Sequence, residues 1–378
     1  MDSTASTEPQ TINGAVASRD RFLGCLLGGA VGDALGAAVE FESRAAILET
    51  FAPDGITDYA PIYGGLGRIT DDTQMTLFTA EGLLRAWVRG CLKGITSYTG
   101  SLSSLTSAGS GRRELRRGTA WISFASPAGC TSSARCTPGA PPATPAFPPC
   151  ARAHRRRVRA EPQQGLRRRD ARGAGRPVPL EHRGHHSTRD TFRLGCELAA
   201  ITHGHPTGQL TAGVLAVLIR ELTDGASLPE ALNVAKPMLR EKRDHHETLR
   251  AIELAEHLAT GNLPAEKAIA RVGEGWIAEG VLAISLYCAL VARDFRHGVI
   301  LAVNHDGHSD STGSITGNLL GTLFGVDAIP EQWLEPLQLR EVITEIAEDL
   351  HDCIDWALSP FGSDPECEER IWRKYPGY

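Results

Sequence analysis

The sequence lacks several features that would place it directly in a familiar class of protein. Its 378 residues carry a net charge of −6, which argues against a nucleic-acid footprint over the whole chain. No run approaches the ~18 apolar residues that a membrane helix requires, and the polar segment from Met1 to Ser18 does not resemble a signal peptide. We therefore expect neither a membrane nor a nucleic acid as a partner.

The cysteines are not arranged as in a disulfide scaffold or a thiolate zinc site. There are nine, an odd number, at irregular spacing, and no two of them form a Cys-x-x-Cys pair. This usage is typical of a reduced, cytoplasmic protein. The aromatic fraction is only 6%, but an apolar fraction of 42% suffices for a sizeable core. A globular protein is predicted, and its oligomeric state does not follow.

Apolar residues at helical spacing predict an all-α fold. The first predicted helix starts at Asp20, and Gly24, Gly28, Gly32 and Gly36 line it, so we expect another helix to approach it closely. A second predicted helix opens at Thr70 and runs to about Arg89, and later ones lie at about 190–203, 209–222, 228–240, 246–259, 265–290, 294–303, 311–324 and 338–358. No stretch alternates convincingly as a strand. The predicted architecture is a compact domain over residues 19–360, with a disordered tail at 1–18 and a C-terminal tail at 361–378.

Residues 101–187 interrupt the helical pattern. They contain many Arg, no Lys and a Pro-rich patch from Pro138 to Pro149, which is typical of a disordered basic insertion. A second hypothesis is translation in shifted reading frames. With permissible codons, one frame offset lets Thr119 to Cys150 encode an amphipathic helix, and the other lets Gln163 to Val178 encode a stretch containing Lys-Gly-Cys-Gly-Gly-Val-Met-Arg. The nucleotide sequence of this region tests the hypothesis, and an open frame with other codons would end it.

Acidic and hydroxyl residues cluster at the starts of two predicted helices. Thr70-Asp71-Asp72-Thr73 opens one, and the run from Asn304 to Gly313 leads into the other. A Thr N-cap and acids in a first helical turn are favourable in themselves, so either cluster alone has a purely structural explanation. Together the two clusters could form an oxygen-rich cage in which Mg²⁺ or Mn²⁺ separates the carboxylates.

Four segments, in this order, resemble the ADP-ribosylglycohydrolases. They are Arg19–Gly36, Ile69–Met75, Ile201–Pro206 and His308–Ser314, and the resemblance extends over about 19–100 and 188–360. It implies a compact all-α fold with two Mg²⁺ ions at the mouth of a cleft that holds ADP-ribose. The shifted-frame stretch Lys-Gly-Cys-Gly-Gly-Val-Met-Arg is similar to the family's diphosphate-contacting loop, which supports the frame-shift hypothesis.

The resemblance also implies roles for individual residues. The implied metal ligands are Thr70, Asp71 and Asp72 from one helix start, and Asp310 and Ser311 from the other. Glu40, seven residues after Asp33, falls where the family has an acidic residue near the reacting sugar, and a solvated helix-end carboxylate is the alternative. His203 falls where the family has a histidine facing the ribose or a phosphate, and a core or solvent-facing histidine is the alternative.

One ligand position departs from the family pattern. His308 stands where the family has a carboxylate, and it stays in the predicted ligand set as a neutral, softer donor that serves Zn²⁺ or Mn²⁺ better than Mg²⁺. We expect the loss of one negative charge to weaken a Mg²⁺ site. Asp306 is displaced by two residues and is expected to point elsewhere.

The predicted function is metal-dependent hydrolysis that releases ADP-ribose from an ADP-ribosylated protein or conjugate. A catalytically impaired protein of the same fold is the second hypothesis, because His308 and the missing loop both weaken the predicted site. The third is nucleic-acid binding through the Arg-rich residues 112–183, which ranks last because no aromatic residues are interleaved there. The acceptor side chain does not follow from the sequence.

Overall fold

The structure, a computed structural model, describes residues 16–95, 114–117, 120–123, 187–359 and 364–376. All the described residues belong to one compact unit, and a second unit, 126–185, lies outside the described residues. The described part is helical apart from one short hairpin, so the predicted all-α fold class is confirmed. Most of the segment 101–187, with the Pro-rich patch and the frame-shift stretches apart from residues 120–123, lies outside the described residues.

The helices are numbered here in chain order. They are α1 Ser18–Gly36, α2 Arg44–Thr50, α3 Asp71–Lys93, α4 Thr188–Ala199, α5 Pro206–Thr223, α6 Leu228–Arg240, α7 His246–Ala259, α8 Ala265–Val272, α9 Ala278–Val291, α10 Phe295–Val303, α11 Ser309–Phe324, α12 Glu331–Leu334, α13 Arg340–Asp352 and α14 Pro365–Lys374. Short 3-10 helices occupy Ala37–Val39, Val326–Ala328 and Cys353–Asp355.

Local sequence signals account for many helix ends. Thr70 caps α3, because its side chain accepts a hydrogen bond from the Asp72 amide, and Gly94 ends that helix at a φ of 65°. Ser227 and Glu230 form a reciprocal capping box at the start of α6. These signals place the Thr70-Asp71-Asp72 cluster at the N-terminus of a helix, as predicted.

Two rows of glycine bring α1 and α11 into backbone contact. A Cβ added at Gly32 would lie 2.0 Å from the carbonyl oxygen of Gly313, and one added at Gly321 would lie 1.9 Å from that of Gly24. Any larger residue would push the helices apart. The predicted close approach to the glycine row of α1 is confirmed, and it sets Asp33, near the end of α1, beside the start of α11.

The remaining helices surround this pair. Helix α1 also packs against α13 and α3, and α11 packs against α5, α9 and α10. Leu27, Val31 and Leu35 from α1 are buried in the main core with Leu319 and Leu320 from α11. A smaller cluster joins α3 to α14 through Leu84, Val88, Ile371 and Tyr375. The α1–α11 pair is therefore the centre of the fold.

Some helix boundaries differ from the prediction. The helix predicted at 265–290 is two helices, α8 and α9, because Gly273 and Gly275 adopt φ values of 128° and 69° between them. The helix predicted at 338–358 ends at Asp352 and continues as a 3-10 turn. Helices α2, α12 and α14 were not predicted. Apolar periodicity persists across a two-glycine break, which explains the first error.

No stretch of the sequence alternates convincingly as a strand, yet the structure contains one short antiparallel strand pair. Within 101–187 the structure describes an antiparallel pair, β1 Glu114–Arg117 and β2 Ala120–Ser123, with Arg117 opposite Ala120. Strands of four residues are too short for alternation to identify them.

One helix meets the hydropathy criterion for a membrane span. Ser18–Val39, which comprises α1 and the 3-10 turn after it, has a mean hydropathy of 1.7 and is mostly buried inside the protein. The expectation that no segment would approach this criterion is therefore wrong on length and composition. Its leucine, valine and alanine residues, with few charges, produce the high value, and a buried core helix meets the same criterion.

Candidate metal centre

The site is centred on a buried carboxylate, that of Asp33, which accepts hydrogen bonds from the N-terminus of α3. Asp33 is fully buried, and it accepts hydrogen bonds from the Thr70 amide at 3.0 Å and the Thr70 hydroxyl at 2.7 Å. It also accepts from the amide and the hydroxyl of Thr73. A carboxylate is favourable at this position because the unpaired amides and the helix dipole both attract negative charge.

The start of α11 meets the start of α3 at the same place. The Ser311 hydroxyl donates to an Asp72 carboxylate oxygen at 2.8 Å, and the Thr70 hydroxyl lies 3.5 Å from Asp310. Oxygen atoms of Asp33, Asp72 and Asp310 all lie within 4.8 Å of one another. The two helix starts that the sequence analysis singled out therefore share one cluster, which we call the carboxylate cluster (Asp33, Asp72 and Asp310).

Burial and mutual repulsion disfavour ionisation in the carboxylate cluster. Burial, opposed by the hydrogen bonds from Thr73 and Thr70, raises the pKa of Asp33 to about 7. Burial and the neighbouring Asp310 raise the pKa of Asp72 to about 6. The pKa of Asp310 is also raised, chiefly by burial. Carboxylates held this close repel one another as anions, and a divalent cation between them would remove that repulsion.

A second group of potential ligands shares Asp310. The structure brings Glu40, His308 and Asp310 together, with potential ligand atoms within 4.8 Å of one another, and His308 Nδ1 lies 3.4 Å from Glu40 Oε1. Burial first, and then the charge of Asp310, raises the pKa of Glu40 to about 8. We call these three residues the mixed cluster. Glu40 is therefore not a solvated helix-end carboxylate.

Three rings meet at the surface beside the mixed cluster. His308 lies edge-on to Phe41 and Trp276, with ring centroids 5.1 and 4.8 Å away, and those two rings are parallel to each other. Backbone hydrogen bonds join the three segments, because Phe41 donates to Gly307 and His308 donates to Glu274. Neither Phe41 nor Trp276 is among the site residues predicted from sequence, since the rings come from loops more than 200 residues apart.

Two other polar side chains near the clusters, those of Asp306 and His305, make hydrogen bonds that stabilise the surrounding backbone. Asp306 accepts a hydrogen bond from the Arg44 amide at 2.9 Å, so it caps α2 and points away from the clusters, as expected. His305 is buried, with one ring nitrogen 2.7 Å from the Thr312 hydroxyl and the other 2.6 Å from the Asp306 carbonyl oxygen. These contacts fix the loop that carries His308.

The predicted site residues are not all in one place. Asp71 opens α3 and is exposed, and its charge raises the pKa of Glu40. His203 is exposed after α4; its ring lies 2.9 Å from the Thr202 hydroxyl, and its carbonyl accepts from the Gln209 side chain. Neither cluster includes His203. Asp33 was not among the site residues predicted from the sequence. Its spacing of seven residues from Glu40 nevertheless places both residues on one face of the first helix or its end.

The donor chemistry fits divalent cations. The carboxylate cluster offers only oxygen atoms, which suit Mg²⁺ or Mn²⁺, whereas the mixed cluster adds an imidazole nitrogen. The hydroxyls of Thr70 and Ser311 lie against the carboxylates of Asp310 and Asp72 and extend the oxygen donors. The identity of the ion stays a prediction, as do the ligand roles of the individual residues.

Comparisons with known proteins agree on the family. A family model described as ADP-ribosylglycohydrolase matches residues 15–358. The chain is 26% identical over 349 residues to the ADP-ribosyl-[dinitrogen reductase] glycohydrolase of Rhodospirillum rubrum, with 85% of this chain and 91% of the relative covered. It is 22% identical over 346 residues to the ADP-ribosylarginine hydrolase Tri1 of Serratia proteamaculans, with 88% and 79% covered.

A solved structure supports the same assignment. A chain of an ADP-ribosylglycohydrolase-related protein complex superposes with a TM-score of 0.54 at 29% identity, covering 88% of this chain and 98% of the other. The resemblance inferred from the four sequence segments is thereby confirmed. This chain belongs to the ADP-ribosylglycohydrolase family, among whose members are hydrolases of ADP-ribosyl linkages.

Proposed function

We propose that the protein hydrolyses the glycosidic bond between ADP-ribose and a modified protein side chain, with the help of divalent cations. The observation that carries this proposal is the meeting of two helix N-termini at the buried carboxylate cluster. A fold needs a compensating charge to hold Asp33, Asp72 and Asp310 as neighbouring anions, and bound cations supply it. Relatives that act on ADP-ribosylated proteins give the substrate class.

The reaction would break the bond at ribose C1 through an oxocarbenium-like transition state. Divalent cations, when bound, orient hydroxyl groups and lower the pKa of water. Thr70, Asp72 and Asp310 would hold the cations from the two helix starts, with Asp71 and Ser311 at their margin. Asp33 would fix the N-terminus of α3, and thereby the Thr70 and Asp72 side chains.

Glu40 would transfer a proton from the attacking water to the leaving group. Its carboxyl group is only partly buried, lies beside Asp310 and His308, and has a pKa raised to about 8 by burial and neighbouring acids. A group with a pKa near the working pH can both accept a proton from water and return it to a leaving group. His203, exposed on its loop, would donate a hydrogen bond to a ribose hydroxyl or a phosphate.

The test is release of ADP-ribose from an ADP-ribosylated protein, measured with added Mg²⁺ or Mn²⁺ and again after chelation. We expect release only with the cation, and a loss of at least about a hundredfold in Asp72→Asn and Asp310→Asn, since removal of an electrostatic contact of this kind commonly costs that much. Asp58→Asn, at an exposed loop position, is the matched control and should retain full activity. Equal release with and without cations would contradict the proposal.

A further inference from the structure

Two aromatic side chains and an isoleucine are exposed beside the mixed cluster. Phe41 and Trp276 are 61% and 52% exposed, and Ile277, directly after Trp276, is 62% exposed. Single exposed apolar side chains are ordinary, but large ones grouped together on a folded protein mark interaction sites. We call these three residues the aromatic patch. The proposed reaction gives none of them a role.

The backbone holds the aromatic patch in a fixed geometry. The Phe41 and Trp276 rings are parallel to within 2°, with centroids 6.0 Å apart. Phe41 adopts a φ of 67°, a region that phenylalanine rarely enters, and its amide donates to the Gly307 carbonyl oxygen at 2.9 Å. On the other side, the His308 amide donates to the Glu274 carbonyl oxygen. Backbone strain of this kind persists where surrounding contacts enforce it, and it is typical of ligand-binding segments.

Negative charge borders the aromatic patch. Glu42 follows Phe41, and both Glu42 and Glu274 are exposed. The Trp276 indole donates a hydrogen bond to the Glu274 carboxylate, which places that charge at the edge of the ring. Neither carboxylate forms an ion pair with another residue in the part of the chain that the structure describes. A ligand here would meet apolar rings and unpaired carboxylates together.

A guanidinium group matches this combination best among protein side chains. Arginine stacks on aromatic faces, and its planar N–H donors pair with a carboxylate. Tryptophan is the aromatic side chain that attracts a cation most strongly. A guanidinium on the Trp276 ring would therefore also reach the Glu274 carboxylate at the edge of that ring. An aliphatic side chain would use the rings alone, and an anion would be repelled.

We propose that the aromatic patch binds an unmodified arginine of the acceptor protein, close in space to the side chain that carries ADP-ribose. This inference rests on the proposed function for the nature of the partner, but it concerns recognition of the protein part of the substrate. The patch adjoins the mixed cluster, because His308 lies edge-on to both rings. An acceptor with a basic residue near its modified site would thus bind more tightly than one without.

The test is binding of unmodified peptides, measured without turnover. Two dye-labelled synthetic peptides, identical except that glutamine replaces arginine in one, are titrated by fluorescence anisotropy at saturating Mg²⁺. The cation prevents arginine from pairing with empty carboxylate clusters. We expect the arginine peptide to bind about three- to tenfold more tightly, which corresponds to a cation–π contact on tryptophan. Trp276→Ala should remove this preference.

Further variants make the result specific. Ile354→Ala removes an apolar side chain that is 55% exposed in the 3-10 helix Cys353–Asp355, and it should leave the arginine preference unchanged. Trp276→Phe keeps an aromatic ring and should retain part of the preference. Glu274→Gln removes only the charge, should also weaken arginine binding, and covers the case in which Trp276→Ala fails to fold. Equal affinity of the unaltered chain for both peptides would overturn the inference.

Two other occupants of the aromatic patch predict different results. If the adenine ring occupied it, Trp276→Ala would weaken the binding of free ADP-ribose, whereas we expect that affinity to stay the same. If a second copy of this chain occupied it, sedimentation would show a dimer that Trp276→Ala dissociates. Either result would overturn the assignment to the acceptor protein.

The peptide experiment is independent of the activity experiment. An arginine preference lost in Trp276→Ala, in a protein that releases no ADP-ribose with any cation, would support the aromatic patch and contradict the proposed function. Cation-dependent release by a protein that binds both peptides equally would support the function and contradict the role of the patch.

Discussion

At the scale of single residues, the buried carboxylates predict how stability depends on pH. The pKa of Asp33 is raised from 3.8 to about 7, mainly by burial, so the folded state favours the protonated form. Its contribution to stability is fully present below about pH 4 and is lost as the pH rises through 7. Asp72 and Glu40, with pKa values raised to about 6 and 8, act in the same direction.

We therefore expect the metal-free protein to have a lower free energy of unfolding at pH 8 than at pH 5. Saturating divalent cation should restore stability at pH 8 more than at pH 5, because protons compete with the cation for the same carboxylates. Asp33→Asn should flatten the pH dependence. Thermal unfolding at several pH values, with and without cation, measures this, and a metal-free protein equally stable at both pH values would contradict it.

His203 gives a prediction about substrate binding. If its imidazole contacts a ribose hydroxyl or a phosphate equally in the ground state and the transition state, His203→Ala should raise KM severalfold and leave kcat nearly unchanged. Stability should hardly change, since the side chain is exposed. Steady-state kinetics on an ADP-ribosylated protein provide the measurement. A fall in kcat with KM unchanged would instead assign His203 to the transition state.

At the scale of helices, the contact between α1 and α11 predicts a large effect for a single methyl group. A Cβ at Gly321 would lie 1.9 Å from the Gly24 carbonyl oxygen, and backbone atoms cannot rotate away as a side chain can. We expect Gly321→Ala to cost at least about 1–3 kcal/mol of stability. Because α1 carries Asp33 and α11 carries Asp310, cation affinity should fall as well.

Gly90→Ala is the matched control within a helix. A Cβ there would meet only the Ile95 carbonyl oxygen, at 3.7 Å, so the change should be neutral or stabilise α3 by up to about 1 kcal/mol. Chemical denaturation of both variants gives the comparison. Equal stabilities for Gly321→Ala and Gly90→Ala would show that α1 and α11 can separate without penalty.

At the scale of the whole molecule, bound cations should join helices that are distant in sequence. The carboxylate cluster takes one residue each from α1, α3 and α11. A ligand that binds only the folded state at a hundred times its dissociation constant adds about 2.7 kcal/mol. We expect chelation to lower the melting temperature of the unaltered chain and to have little effect on Asp72→Asn. Calorimetric melting tests this, and identical shifts in both proteins would contradict it.

The sequence alone predicted much of this architecture, because helix periodicity and capping are local properties. Thr70 before Asp71 and Asp72 identified the start of α3, and the spacing of Gly24, Gly28 and Gly32 indicated a close neighbouring helix. The family followed from four short segments, although residues 101–187 do not fit its pattern. The break at Gly273 and Gly275 was missed because apolar residues continue with helical spacing on both sides of it.

Only the tertiary structure decided which distant groups meet. The pairing of α1 with α11 inserts Asp33 beneath the N-terminus of α3, and this burial raises its pKa and joins it to Asp72 and Asp310. The same packing sets Phe41 and Trp276 around His308, so that its imidazole faces Glu40. Whether a segment forms a helix depends mainly on residues a few positions apart in the sequence. The contacts of Asp33 and His308 instead depend on how several helices, distant in sequence, pack together.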